Sequence, residues 1–397
     1  MKYKRPLFYK LLSRLQEPRM FIQVIAGPRQ TGKTTIALSL HNEMKCPIEY
    51  HTADDSTGNT ASWIDQIWES LRIRIKLEKK SEAILIMDEI QKISDWSATV
   101  KKHWDRDTKD NISIKLVLLG SSRLLIMDGL SESLLGRFEL SYAGHWGFAE
   151  MQEAFGFSLE EYMWFGGYPG PVNLKNDELR FKEYVKNSII EPTMIRDILL
   201  TTKIDKPALL RQLFDIGVEC STQIISYNKL LGQMQDVGNT TTLAKYLRLL
   251  EQAGLLSGLN KYIGNKITLK GSIPKFQVHN TALYSALKRY TFNEIYSNPS
   301  KWGYVIENAI GAYLVDQTVT NTNLSLFYWR DNGTEIDFVV LCGDQVIGIE
   351  VKSGDSGIPE KAAKKFKDRY PNSKLILVGK QGISHELFLK TKISDLL

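Results

Sequence analysis

Cysteine is scarce in this chain of 397 residues. Cys46, Cys220 and Cys342 lie far apart and show no C-x-x-C spacing. That excludes a disulfide framework and a thiolate zinc site, and it suits a reducing compartment. Long apolar runs are missing as well: none approaches the ~18 residues of a membrane span, so no membrane association is expected. The opening segment, M-K-Y-K-R-P-L-F-Y-K, is basic but lacks the apolar core and small-residue cleavage site of a secretory signal. The expected location is the cytoplasm. A large excess of one charge is also absent; a net charge of +6 permits a nucleic-acid partner without requiring one. What remains is ordinary globular material, 43% hydrophobic and 24% charged, at a length that suggests two or three domains.

The sharpest local signal lies near the N-terminus. Phe21-Ile22-Gln23-Val24-Ile25 reads as a short buried strand. It runs into Gly27-Pro28-Arg29-Gln30-Thr31-Gly32-Lys33-Thr34-Thr35, and a helical stretch follows. Strand, glycine-bounded loop and helix form the context in which this pattern cradles phosphates. The glycines let backbone N–H groups curl around a β-phosphate, and the helix N-terminus adds partial positive charge. Lys33 would bridge the β- and γ-phosphates of ATP, and Thr34 would offer its hydroxyl to Mg²⁺.

Such a loop calls for a second, acidic strand. Ala83-Ile84-Leu85-Ile86-Met87 is an unbroken apolar run that ends in Asp88-Glu89, at the carboxyl edge where open α/β sheets bind ligands. Asp88 would hold Mg²⁺ through water, and Glu89 would polarise the attacking water. A third apolar run, 115–119, leads into Gly120-Ser121-Ser122-Arg123. Between these strands Trp96, Val100 and Trp104 fall at helical spacing, which fits packing rather than chemistry.

The ordered series Asp88-Glu89-Ile90-Gln91, Leu119-Gly120-Ser121-Ser122, Leu135-Gly136-Arg137-Phe138 and Gly166-Gly167-Tyr168-Pro169 resembles a large family of prokaryotic AAA+ ATPases with a C-terminal domain of unknown function. The resemblance covers essentially the whole chain. It implies that Ser121 or Ser122 senses the γ-phosphate. It also implies that Arg137 reaches a γ-phosphate, in its own chain or in a neighbouring subunit of a homo-oligomer. A structural surface arginine is the bland alternative for Arg137. Arg29, within the loop, would either contribute to the site or point to solvent.

The middle of the chain is helical. Ser158 followed by Glu161 reads as a capped helix start, and Gly166-Gly167-Tyr168-Pro169 as its end. A further helix over 181–200 is interrupted at Pro192. Three short helices follow, over 209–219, 227–234 and 241–253, the last capped by Asn239 or Thr240. A hairpin joining 255–257 to 266–269 across Gly264-Asn265 completes a winged helix-turn-helix. Its third helix would turn Thr240, Thr241, Thr242, Lys245 and Arg248 outward, toward DNA or toward a protein partner.

The last hundred residues predict a helix over 304–315, strands over 325–329, 335–341 and 346–351, a helix over 360–369 and a strand over 374–378. That α-β-β-β-α-β order is similar to the core of PD-(D/E)xK nucleases. Glu307 falls on the first helix, and Asp337 interrupts an apolar strand. Glu350 and Lys352 flank Val351, so the two-residue period turns both to one face. Glu307, Asp337 and Glu350 would hold Mg²⁺, and Lys352 would orient or deprotonate a water. The alternative for Asp337 is capping of a neighbouring backbone. An Asp on an apolar strand beside an E-x-K is costly unless cations satisfy it.

The expected architecture is therefore α/β and multidomain. A P-loop AAA+ core spans 1–150, a helical lid or linker 151–206, a winged helix 207–277 and a nuclease-like domain 278–397. The favoured reading is an ATPase whose cycle controls action on nucleic acid, DNA above RNA. The competing one is an ATP-driven switch that binds a protein partner and does not cleave.

Overall fold

The computed structural model describes residues 3–55, 60–121, 130, 133–199, 202, 204–234, 239–264 and 273–396. The chain divides into two compact units, Met1–Gly144 and His145–Leu397.

The first unit is built on a five-stranded parallel sheet in the order β2-β3-β4-β1-β5. Its strands are β1 (Ile22–Ala26), β2 (Ile48–Thr52), β3 (Glu82–Asp88), β4 (Ser113–Gly120) and β5 (Phe138–Tyr142). The three central strands are apolar at nearly every position because both faces are covered. Successive residues serve opposite faces: Val24, Leu85 and Leu118 belong to one core cluster, and Ile25, Ile84 and Val117 to the other. Helices α1 (Pro6–Gln16) and α2 (Lys33–Leu38) supply Phe8, Leu11, Leu15 and Ile36 to the second cluster. Helices α3 (Ala61–Glu78) and α4 (Trp96–Lys109) supply Ile64, Trp68, Leu71, Trp96, Val100 and Trp104 to the first. The Trp96, Val100 and Trp104 stripe is thus packing, as its spacing implied.

A polar network lies between α3 and α4. Asp107, fully buried, accepts from Trp68 Nε1 at 2.8 Å and from Arg72 Nε at 2.7 Å. Arg72 also donates to His103 Nδ1 at 3.0 Å, and His103 Nε2 lies 2.7 Å from Asp65 Oδ1. A guanidinium can only donate, so Nδ1 of His103 is an acceptor and Nε2 carries the proton. The ring is neutral, and burial lowers its pKa from the ordinary value.

The second unit holds a six-stranded sheet in the order β11-β10-β9-β8-β6-β7. It comprises β6 (Leu256–Lys261), β7 (Lys275–Val278), β8 (Leu324–Asp331), β9 (Thr334–Cys342), β10 (Gln345–Val351) and β11 (Lys374–Val378). The helix Pro299–Thr320 precedes β8, and the helix Glu360–Arg369 joins β10 to the parallel β11. The α-β-β-β-α-β order expected for the last hundred residues is the observed one. The capped start at Ser158 is also as read: its hydroxyl accepts from Glu161 N, and the helix Leu159–Phe165 ends at Gly166 with φ 69°. A methyl group on Gly167 would meet Trp146 O at 2.0 Å, and Asn280 Oδ1 accepts from Gly167 N at 3.1 Å. The G-G-Y-P motif is thereby a close-packed anchor inside this unit. Beyond the helix Glu178–Tyr184 the chain winds in wide π-helical turns through Val185–Ile190 and Thr193–Leu199, with Pro192 between them.

Residues 145–397 form one compact unit, in which β6 and β7 continue the C-terminal sheet. The strand that pairs with 256–259 is Lys275–Val278; the return strand expected at 266–269 lies outside the described residues. The three helices themselves are present as Pro207–Glu219, Tyr227–Leu231 and Thr240–Gln252. Asn239 caps the third through Thr242 N at 2.8 Å. That helix buries Leu243, Tyr246, Leu247 and Leu250 and leaves Thr240, Thr241, Lys245 and Arg248 exposed, with Thr242 half-buried.

Candidate functional site

The phosphate-type site gathers at the carboxyl edge of the first sheet, where β1, β3 and β4 end side by side. Gly27 leaves β1 with its α-carbon against the neighbouring backbone; a methyl group there would lie 2.2 Å from Ala143 O. Gly32 caps α2 at φ 88°, in the left-handed region where glycine alone carries no steric penalty. Thr31 is fully buried and donates to Pro28 O at 3.0 Å, closing the loop across its own chord. Lys33, also buried, donates to Gly27 O at 2.9 Å and Pro28 O at 2.7 Å. Its ammonium thus sits inside the curl of the loop, with Gln30 at φ 59° helping to turn the backbone. Arg29 and Thr35 lie on the rim, half-buried and exposed respectively.

The acidic pair is in place beside this loop. Thr34 Oγ1 donates to Asp88 Oδ2 at 2.6 Å, so a hydroxyl and a carboxylate of the kind that bind Mg²⁺ already share one point. Glu89 takes the left-handed conformation, φ 51°, at the exit of β3. Its Oε2 accepts from Ser121 Oγ at 2.9 Å, and Gln91 Nε2 donates to the same oxygen. Ser121 follows directly on β4 in a buried position, whereas Ser122 lies outside the described residues. Lys33, Thr34, Asp88, Glu89 and Ser121, remote in sequence, therefore form one constellation.

Arg137 is not part of it within one chain. Its main-chain oxygen accepts from Ile22 N at the opening of β1, and its guanidinium grips Asp105 at 2.8 and 3.1 Å. Five strand residues, about 16 Å, separate that edge from the P-loop. Of the roles left open for Arg137, the sheet's length sets it away from its own chain's loop, while a neighbouring copy's site and a structural surface role, which its pairing with Asp105 suits, stay open.

Two side chains here escaped sequence reasoning. Tyr50, on β2, donates to Asp88 Oδ2 at 2.9 Å, and burial together with that carboxylate raises its pKa. Arg5 donates to Thr31 O at 2.9 Å and Gly144 O at 3.0 Å, bracing the loop from behind. Tyr50 had a signal, its place in the alternating segment 48–52 before the acidic strand. Arg5 had none.

In the second unit the four expected polar residues converge, together with a fifth. Glu350 and Lys352 share a face of β10, and Lys352 Nζ donates to Glu350 Oε1 at 2.6 Å. Asp337 Oδ2 accepts from Val351 N at 2.8 Å, between them. Lys275, from β7, is fully buried with its Nζ 2.8 Å from Glu307 Oε1 and 3.7 Å from Asp337 Oδ1. Burial pulls the Lys275 pKa down, but the charges of Glu307, Asp337 and Glu335 outweigh it and the net direction is upward. Glu307 and Glu350 are each pushed up to about 7, chiefly by burial. Among the described residues no group of three metal-capable side chains is set around an open point. Of the residues expected to hold a metal, Glu307 and Asp337 are paired with the Lys275 ammonium and Glu350 with that of Lys352.

Comparison with known proteins agrees with the first unit. Residues 20–163 match the family described as an AAA domain. Residues 156–294 and 302–387 match two domains of unknown function, DUF8612 and DUF4143. The chain thus carries an AAA-type ATPase domain followed by C-terminal domains of unknown function. No curated protein matches it. Among solved structures it is similar to the Thermotoga maritima RuvB Holliday junction branch migration motor, at 18% identity over 68% of this chain and 92% of that one, with a TM-score of 0.38. It is also similar to Saccharomyces cerevisiae Rif2, at 14% identity over 46% of this chain and 70% of that one, with a TM-score of 0.29. No helix among the described residues is long and apolar enough to cross a membrane.

Proposed function

We infer that this protein hydrolyses ATP at its P-loop and uses the cycle to govern its second unit, whose target is nucleic acid, DNA above RNA. The observation that carries the first half is the 2.6 Å contact of Thr34 with Asp88 beside Glu89 and the buried Lys33. Thr34 and Asp88 are the residues to hold Mg²⁺, which supplies charge neutralisation across the β- and γ-phosphates when bound. Lys33 leaves its two loop carbonyls for the phosphate oxygens, exchanging neutral acceptors for charged ones. Glu89 takes the proton of the attacking water. Ser121 touches the same Glu89 oxygen, so its engagement with a γ-phosphate and the freeing of that oxygen are linked events.

For the second half, support comes from the exposed face of the helix Thr240–Gln252, where Lys245 and Arg248 stand among threonines. Three helices and an antiparallel strand pair suit a winged helix, and the sheet order with Glu307, Asp337, Glu350 and Lys352 suits a nuclease-like core. The second reading, a switch whose C-terminal domain binds without cleaving, is favoured by Lys275 within the acidic cluster.

Phosphate release reads the first half: Lys33→Ala should lose turnover, and turnover retained at the wild-type rate would sink the assignment. Anisotropy of a labelled DNA duplex reads the second. A Lys245→Glu/Arg248→Glu variant should bind at least ten-fold more weakly at low salt, since each reversal replaces a phosphate attraction with repulsion. Equal binding by both proteins would remove this helix from the nucleic-acid reading.

A further inference from the structure

The acidic cluster of the second unit already contains a cation, and the chain supplies it. Lys275 Nζ stands 2.8 Å from Glu307 Oε1 and 3.4 Å from Glu335 Oε1, and it donates to the main-chain oxygen of Asp337 at 3.1 Å. The Phe338 ring lies 4.8 Å away on another side. An ammonium group has three donors and no acceptor, and here two carboxylates and one carbonyl answer all three. Such satisfaction is what a fully buried lysine requires, since an unpaired charge in that position is strongly destabilising. The acids gain from it as well: the ammonium stands 2.8 Å from Glu307 Oε1 on its helix and 3.7 Å from Asp337 Oδ1 on β9. A divalent ion bound by the same oxygens demands a shell at about 2.0–2.6 Å, with cation–cation repulsion added if the lysine stays.

We propose that the Lys275 ammonium is the resident cation of this site. The wild-type protein takes no divalent ion between Glu307 and Asp337, and removing the Lys275 amine converts Glu307, Glu335 and Asp337 into a divalent-cation site. The proposal rests on the convergence of these side chains rather than on the nuclease-like reading. It assigns Lys275, a residue of the strand pair ahead of the C-terminal core, to the electrostatics of that core.

Mn²⁺ binding to the full chain without nucleotide, read from the free-ion EPR signal, tests this directly. Wild type and Asp337→Asn should bind the same number of ions, because neither holds one in the cluster. Lys275→Ala should bind one more, and Lys275→Ala/Asp337→Asn should lose it again. An ion in the wild type that disappears with Asp337→Asn would overturn the proposal, as would a folded Lys275→Ala that gains none. Where Lys275→Ala folds only with Mn²⁺ present, that dependence counts in favour, provided Lys275→Ala/Asp337→Asn is not rescued. Failure of both to fold leaves the decision to the wild-type comparison. Incubating the proteins with plasmid DNA and Mg²⁺ or Mn²⁺ separates this from the nuclease question. Metal-dependent cleavage by wild type that needs Asp337 overturns the resident cation while sparing the nuclease reading. Cleavage only after Lys275→Ala supports the resident cation.

Discussion

Glu89→Gln should leave ATP binding intact and lower its hydrolysis by at least ~10²-fold, the lower end of what a positioned general base contributes. The substitution keeps the shape of the side chain and its capacity to accept from Ser121 Oγ, now 2.9 Å away. It removes the lone pair that takes the proton from water. The backbone argues for a functional residue too: Glu89 holds φ 51°, a region that costs a non-glycine residue energy and tends to persist where surrounding structure demands it. Single-turnover phosphate release with a fluorescent nucleotide titration alongside checks both halves. Turnover within a few-fold of wild type would move the base elsewhere. Loss of binding would show instead that Glu89 serves the loop's architecture. Lys33→Ala is the contrast, since its ammonium is expected to act on the phosphates themselves.

Asp107→Ala should destabilise the first unit by about 3–5 kcal/mol, the range for removing one partner of a buried ion pair. The carboxylate is fully buried and answers both Trp68 and Arg72. Its loss leaves an indole N–H unpaired and a guanidinium with Glu69 and the His103 groups as its remaining partners. Asp107→Asn should cost less, because an amide oxygen still accepts from one donor. Urea denaturation followed by tryptophan fluorescence measures this, Trp68 and Trp104 being in the same cluster; a loss below about 1 kcal/mol would mean the network relaxes around the gap. The pH dependence has a defined sign. Burial holds His103 below its ordinary pKa of 6.5, so the unfolded chain binds this proton more readily. Its contribution is therefore present above that value and lost as the pH falls below it.

How far the sequence carried the reading depends on whether the determinant was local. Strands β1, β3 and β4 were legible because a parallel strand covered on both faces must be apolar throughout. The loop after β1 was legible because phosphate binding imposes glycine, lysine and hydroxyl at fixed spacing. Ser158 with Glu161, Asn239, and the alternation that sets Glu350 beside Lys352 are likewise short-range rules. For Asp337 the pattern left cations or a backbone cap open; its carboxylate accepts from Val351 N and lies 3.7 Å from the ammonium of Lys275, sixty-two positions earlier and on a strand outside the expected hairpin.

The P-loop, its acidic partner strand and the α-β-β-β-α-β order at the C-terminus were thus determined by the sequence on its own, through periodicity and turn chemistry acting over a few residues. Tertiary structure alone decided three things. It set Arg137 at the far edge of its sheet, bound to Asp105, because parallel strands put their two ends about a strand's length apart. It brought Arg5 and Tyr50 to the phosphate site across long loops. And it closed the acidic cluster of the second unit on a lysine, since which opposite charge reaches a buried carboxylate depends on how the sheet twists and packs, and no local pattern records that.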